Sequence, residues 1–139
     1  MSNAINVRVV SPITTKGFRK DSDFDTIRNS DLKISHSQIE IGPASIETEF
    51  DEAMCQPDTI LKIIDAENEG CDAAVIDCMG DPGLKGAREC VSIPVVGPCE
   101  TAMHYASMLG HKFTVLTVLE RTKPLIENLS KIYGISSKL

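Results

Sequence analysis

The sequence lacks the features that would place it in several protein classes at once. No uninterrupted apolar run approaches the roughly 18 residues of a membrane-spanning helix, so no membrane role is expected. Aromatics total 4%, the formal net charge is −6, and no basic run is interleaved with aromatics; nucleic acid is therefore not an expected partner. No Gly-rich phosphate fingerprint appears, so nothing points to a nucleotide. The cysteines at 55, 71, 78, 90 and 99 include no Cys-x-x-Cys pair, which argues against a structural zinc site. Their odd number and irregular spacing also argue against a disulfide framework and for free thiols in a reducing, cytoplasmic compartment. The N-terminal run enters a strand without signal-peptide anatomy, and Ser2-Asn3-Ala4 reads equally as native sequence or as a cloning remnant.

What is present fits one domain, or one and a half small lobes. The 139 residues are 42% hydrophobic, enough to bury a core at this length. Strand and helix signals alternate. Residues 5–10 read as a strand, followed by the Ser11-Pro12-Ile13-Thr14-Thr15 loop and a polar, helical stretch through Asn29. Residues 32–41 alternate apolar and polar, the period of a half-buried strand, and Gly42-Pro43 ends them ahead of a long loop to Gln56. A helix is expected over 57–69, with Pro57 at its first position, a broad apolar stripe and Gly70 as its left-handed stop. Strands follow at 73–77, 93–96 and 113–119, and helices at 84–90, 99–109 and 121–133. This alternation predicts an α/β fold with a mainly parallel sheet flanked by helices. Such sheets bind small ligands beyond the carboxyl ends of their strands.

The turn Cys78-Met79-Gly80-Asp81-Pro82-Gly83 is the leading candidate for chemistry. A thiol at the end of a buried strand, ahead of a helix, is placed near free backbone amides. These amides and the helix dipole are expected to lower its pKa and make it a usable base or nucleophile. The opposing reading is a small buried hydrophobe, which is what most lone cysteines are. Ser11 and Thr14, at the end of the first strand, offer hydroxyls to a carboxylate or imide oxygen, or simply cap a turn. Thr117 has the same two readings. Glu100, in the first turn of its helix, complements the dipole, while Cys99 and His104 read as packing residues. His36 and His111 have no evident catalytic partner, and Cys55, Cys71 and Cys90 are expected to pack.

Several of these segments together resemble one family. Gly42-Pro43-Ala44-Ser45-Ile46-Glu47 and the run from Gly70 to Leu84, with its Cys78-Met79-Gly80-Asp81-Pro82-Gly83-Leu84 turn, resemble the hydantoin racemase branch of the Asp/Glu racemase superfamily. Ile93-Pro94-Val95-Val96-Gly97, Glu100-Thr101-Ala102 and Thr117-Val118-Leu119 are similar to the same branch, so the likeness extends from Val7 to the end. Glutamate and aspartate racemases usually carry Cys-Asn-Thr at the cysteine turn, which favours the hydantoin-type reading.

The resemblance implies two similar, pseudo-symmetric α/β lobes with a small-molecule substrate between them, one cysteine from each, and neither metal nor pyridoxal phosphate. Cys78 matches the first cysteine and would move a proton on one face of the stereocentre. Amides of the Met79–Gly80 turn would help to stabilise the oxyanion, with Ser11, Thr14 and Thr117 as further substrate contacts. The substrate implied is a 5-substituted hydantoin or related amino-acid derivative. There are two departures. The family's Asn-Pro-Asn-Thr loop is here Ser11-Pro12-Ile13-Thr14, and the second cysteine belongs beyond Leu139, unmatched by Cys99. Residues 1–97 are then expected to form the first lobe and 98–139 the opening of the second. Unfinished sheet surface around 113–119 implies a homo-oligomer or part of a longer chain. Other readings are an arylmalonate-decarboxylase-like or maleate-isomerase-like enzyme, and an inactive fragment that binds a small carboxylate or imide.

Overall fold

A computed structural model describes residues 4–139; Ser2 and Asn3 of the N-terminal lead-in lie outside the described residues. Strands β1 (Ile5–Ser11), β2 (Leu32–Gln38), β3 (Ala73–Ile76) and β4 (Val95–Val96) form one sheet in the order β2-β1-β3-β4. Every pairing is parallel. Helices α1 (Glu49–Asn68), α2 (Leu84–Cys90), α3 (Pro98–Leu109) and α4 (Lys123–Ile132) connect and follow the strands. The expected α/β architecture is what forms.

Residues 113–119 depart from expectation. They form no strand, and Leu116 and Val118 are 93% and 95% exposed. Their β-branched, apolar composition suits a strand, but a strand also needs a neighbour to complete its ladder. The edge strand β4 is two residues long and pairs with β3 only. Phe113 N–H instead donates to the Lys138 carbonyl at 2.9 Å.

Helix α1 starts eight residues before Pro57, which sits inside it. The Thr48 side chain accepts from Asp51 N–H, and the Asp51 carboxylate accepts from Thr48 N–H, a reciprocal cap that satisfies the first free donors. The end of α1 follows the sequence reading. Gly70 has φ 83°, its N–H reaches the Glu67 carbonyl, and Cys71 N–H reaches that of Ala66. The polar stretch before Asn29 holds only a 3-10 turn, Asp21–Phe24. β2 stops short of residue 41, leaving Ile39 buried and Ile41 exposed. The last helix likewise divides into a 3-10 turn, Glu120–Thr122, and α4.

Two apolar clusters result. Val10, Ile63, Ala74, Ile76, Leu84, Ala87 and Val95 pack between the sheet and helices α1 and α2. Cys99, Met103, Leu129 and Ile135 form a second cluster of α3 and α4, with Phe113 and Val115 against it. The first cluster packs beneath the central strands β1 and β3. The second supports the wall facing them.

Candidate active site

In a β2-β1-β3-β4 sheet, the chain leaves β1 toward one edge and β3 toward the other. A crevice therefore opens beyond the carboxyl ends of these two central strands. Ser11 closes β1 there, and Asp77 and Cys78 follow β3 directly. Asp77 N–H donates to the Val10 carbonyl at 2.8 Å, so the pairing that fixes β3 also fixes the residue before the thiol.

Asp77 organises the β1 side. Arg19 donates to its two carboxylate oxygens through Nε and Nη2, each at 2.7 Å, and the Ser11 hydroxyl donates at 2.9 Å. Burial opposes the charge on Asp77, but these hydrogen bonds outweigh it and hold the carboxyl below its ordinary value. Ser11 Oγ also lies 2.9 Å from His36 Nε2. With its proton committed to Asp77, Ser11 accepts there, which selects the Nε2–H tautomer of His36. Burial lowers the His36 pKa, only partly offset by Asp77, so the ring is neutral near pH 7. His36 thus has a partner after all.

Cys78 Sγ accepts a hydrogen bond from Gly80 N–H at 3.4 Å. The expected lowering of its pKa does not occur. Burial pushes the thiol up to about 11, and the carboxylates of Glu52, Asp81 and Asp77 add to the rise against the pull of Gly80 N–H. One amide cannot offset removal from water next to three acidic groups. Nor is that amide free for an oxyanion, since it is spent on the sulfur.

Asp81 fastens the turn from the other side. Its φ is 50°, it is buried, and its carboxylate accepts from Cys99 N–H at 2.9 Å, Glu100 N–H at 2.7 Å and the Tyr133 hydroxyl at 2.7 Å. A side chain from the cysteine turn thereby caps α3, a helix that begins seventeen positions later. A Cβ on Gly97 would lie 2.6 Å from both the Asp81 carboxyl carbon and Leu84 Cδ2, so only glycine fits there. Glu100 gives its amide to Asp81 and pairs its carboxylate with Arg88 at 2.6 Å.

Cys78 and Met79, together with Ile46, line both of two clefts. One, of about 480 Å³, is lined by Pro12, Arg19, Ser45, Asp77 and Pro98. The other, of about 190 Å³, is lined by Thr48, Gly80, Thr117 and Arg121. The structure thus gathers four of the six residues singled out in the sequence: Cys78, Met79, Gly80 and Thr117. Ser11 is buried behind Asp77, and Thr14 donates to the Pro43 carbonyl at 3.2 Å, so neither lines a cleft. Thr117 Oγ1 lies 2.6 Å from Thr122 Oγ1. Arg19, Asp77 and Asp81 are the residues that sequence reasoning missed. Among the described residues, no three His, Cys, Asp or Glu side chains are placed to share a metal ion, and no helix is long and apolar enough to cross a membrane.

Comparison with known proteins accords with this geometry. A family model described as Asp/Glu/Hydantoin racemase matches residues 25–139. The chain is 40% identical over 137 residues to a hydantoin racemase of Pseudomonas sp. (strain NS671), covering 97% of this chain and 55% of that protein. It is 41% identical over 108 residues to a hydantoin racemase of Rhizobium meliloti, covering 78% and 45% respectively. It superposes on allantoin racemase from Klebsiella pneumoniae with a TM-score of 0.90 at 31% identity, covering 97% of this chain and 56% of that one. For allantoin racemase from Pseudomonas fluorescens the TM-score is 0.85 at 26% identity, with 96% and 57% covered. The chain spans about half the length of the curated relatives it matches. With its parallel sheet, its cysteine turn at the strand-order switch and these likenesses, the chain belongs to the Asp/Glu/hydantoin racemase family, in its hydantoin racemase branch.

Proposed function

We propose that this chain supplies one proton-transferring half of a cofactor-independent racemase acting on a 5-substituted hydantoin or a related cyclic ureide. The observation that carries the reading is the position of Cys78, at the carboxyl end of β3 and on the wall of both clefts. With its pKa near 11, only about one sulfur in 10⁴ is thiolate at pH 7. The resting group is therefore an acid. The S–H bond breaks as a C–H bond forms on one face of a planar enolate, and Gly80 N–H supports the thiolate left behind. In the reverse direction that thiolate takes the α-proton. A hydantoin suits this chemistry because its ring carbonyl accepts the carbanion charge.

The opposite face needs a second acid–base group. Cys99 is buried in the α3 cluster, beneath the Asp81 cap, and is not offered for that role. We place the second group in a further lobe or in a partner copy. Residues 1–97 serve as the first lobe and 98–139 as the opening of the second, in keeping with the two separate apolar clusters. Five free cysteines suit a reducing, cytoplasmic setting.

The test is α-proton exchange in D₂O, followed by NMR on L- and D-5-alkylhydantoins, for the chain and its Cys78→Ala variant. Exchange that the variant loses supports the reading. Exchange equal in both, or absent from the intact protein, overturns it. The protonated resting thiol also favours a second reading, one-sided protonation after decarboxylation of a disubstituted malonate. Release of CO₂ from such a malonate would distinguish it.

A further inference from the structure

The larger cleft contains a donor that the racemase reading has not used. On its β1 side, the polar groups that would ordinarily meet a ligand are already engaged. The Ser11 hydroxyl is committed to Asp77, and the Thr14 hydroxyl to the Pro43 carbonyl. Position 13, where a second amide side chain would stand in the family's loop, is Ile13. Arg19 remains. It lines the cleft together with Cys78, and its side chain is 37% exposed.

The pairing with Asp77 fixes how Arg19 is presented. Nε and one Nη2 hydrogen point at the carboxylate, each bond at 2.7 Å. Of the five donors on a guanidinium, this leaves both Nη1 hydrogens and the second on Nη2 without an acceptor among the described residues. A two-point pair makes the guanidinium plane rigid, so the remaining donors are held in a set direction rather than sampled by a loose side chain. The backbone of the anchor is tied to the sheet, because Asp77 N–H is bonded to the Val10 carbonyl of β1. Asp77 is also the residue next to the thiol, one Cα step of about 3.8 Å away.

We propose that Arg19 is a substrate-binding residue of this cleft, held by Asp77, and that it takes the carbonyl oxygen next to the stereocentre, the oxygen on which enolate charge develops. This rests on the racemase reading and adds the side chain that receives the charge. A charge-assisted donor aimed at that oxygen stabilises the enolate more than the ground-state carbonyl. The cleft then selects substrates with a strong oxygen acceptor beside the acidic carbon. It disfavours those in which that oxygen is replaced by sulfur, a poorer acceptor.

The experiment compares the intact protein with its Arg19→Gln, Arg19→Lys and Asp77→Asn variants on 5-benzylhydantoin and on 5-benzyl-4-thiohydantoin. Arg19→Gln is expected to lower kcat/KM on the oxygen substrate about 100-fold and to flatten the oxygen-over-sulfur preference. Asp77→Asn should fall between it and the unaltered protein. Free guanidinium should restore part of the activity lost in an Arg19→Ala variant. Loss of equal size on both substrates, with no rescue, would assign Arg19 a purely structural role and overturn the proposal. So would kcat/KM within about twofold of the unaltered protein, well short of the expected loss. Binding is read separately, by titrating 5-benzylhydantoin into Cys78→Ala protein with and without Arg19→Gln; an unchanged Kd overturns the proposal even where no turnover is seen. Inactive wild-type protein that still binds through Arg19 would overturn the racemase reading alone.

Discussion

The Tyr133 hydroxyl donates to Asp81 Oδ2 at 2.7 Å, joining the end of α4 to a turn 52 residues earlier in the chain. The phenol is half-buried, and burial together with this bond pushes its pKa up, so it remains a donor throughout the working pH range. Tyr133→Phe removes one of three donors from a buried carboxylate and should cost about 1–2 kcal/mol. Asp81→Ala also strips the cap from α3 and should cost about 3 kcal/mol. Urea unfolding monitored by circular dichroism measures both, and equal midpoints for the two variants would contradict the assignment.

Gly97→Ala probes the same joint sterically. The new methyl would sit 2.6 Å from the Asp81 carboxyl carbon and from Leu84 Cδ2, between a hydrogen-bonded carboxylate and a buried core side chain. Overpacking of this kind should destabilise by about 3 kcal/mol. Gly17, whose added Cβ meets nothing within 4 Å, still has φ 76° and is strained for alanine, so Gly97 should be compared with an exposed Ala→Gly control rather than with Gly17.

Thiol titration gives a pH prediction. The Cys78 pKa is raised from 9.0 to about 11 in the folded state. Since the folded value exceeds the unfolded one, the associated stability is fully present below pH 9.0 and is lost as pH rises through about 11. Cys55 and Cys99, both pushed up to about 12 mainly by burial, steepen the same limb. Cys78→Ala should therefore flatten the alkaline stability profile in part. Iodoacetamide should label exposed Cys90 first at pH 7.5, with labelling of Cys78 accelerating toward pH 11. Rapid labelling of Cys78 at neutral pH would refute the protonated resting state.

Leu116 and Val118 are 93% and 95% exposed, so their replacement by lysine removes no packing. The double variant should change unfolding free energy by less than about 0.5 kcal/mol. It should, however, weaken self-association of the chain in sedimentation velocity, where an unpaired apolar segment acts as a contact site.

Legibility in the sequence followed the range of the forces involved. Helix α2 was readable at both ends because Gly83 and the Leu84–Cys90 periodicity are local, and the end of α1 because Gly70 is. The start of α1 was hidden. Its first turns, from Glu49 to Gln56, carry weak periodicity, and Pro57 imitates a first position more conspicuously than Thr48 and Asp51 advertise a cap. Residues 113–119 read as a strand because composition is local, whereas pairing is not. Cys78 was found from its turn, but the sign of its pKa shift depends on Glu52 and Asp81 and on burial, none of which the turn encodes. Arg19 and Asp77 are 58 residues apart, and no local pattern links them.

One sulfur forms part of the lining of two clefts, so any covalent adduct on Cys78 would obstruct both chambers at once. An electrophile admitted through the wide entrance at Pro12 and Ser45 would silence a ligand lodged on the Thr117 side without ever meeting it. Inhibitors shaped for either cleft would then compete with each other, through the three side chains that both clefts share, Ile46, Cys78 and Met79.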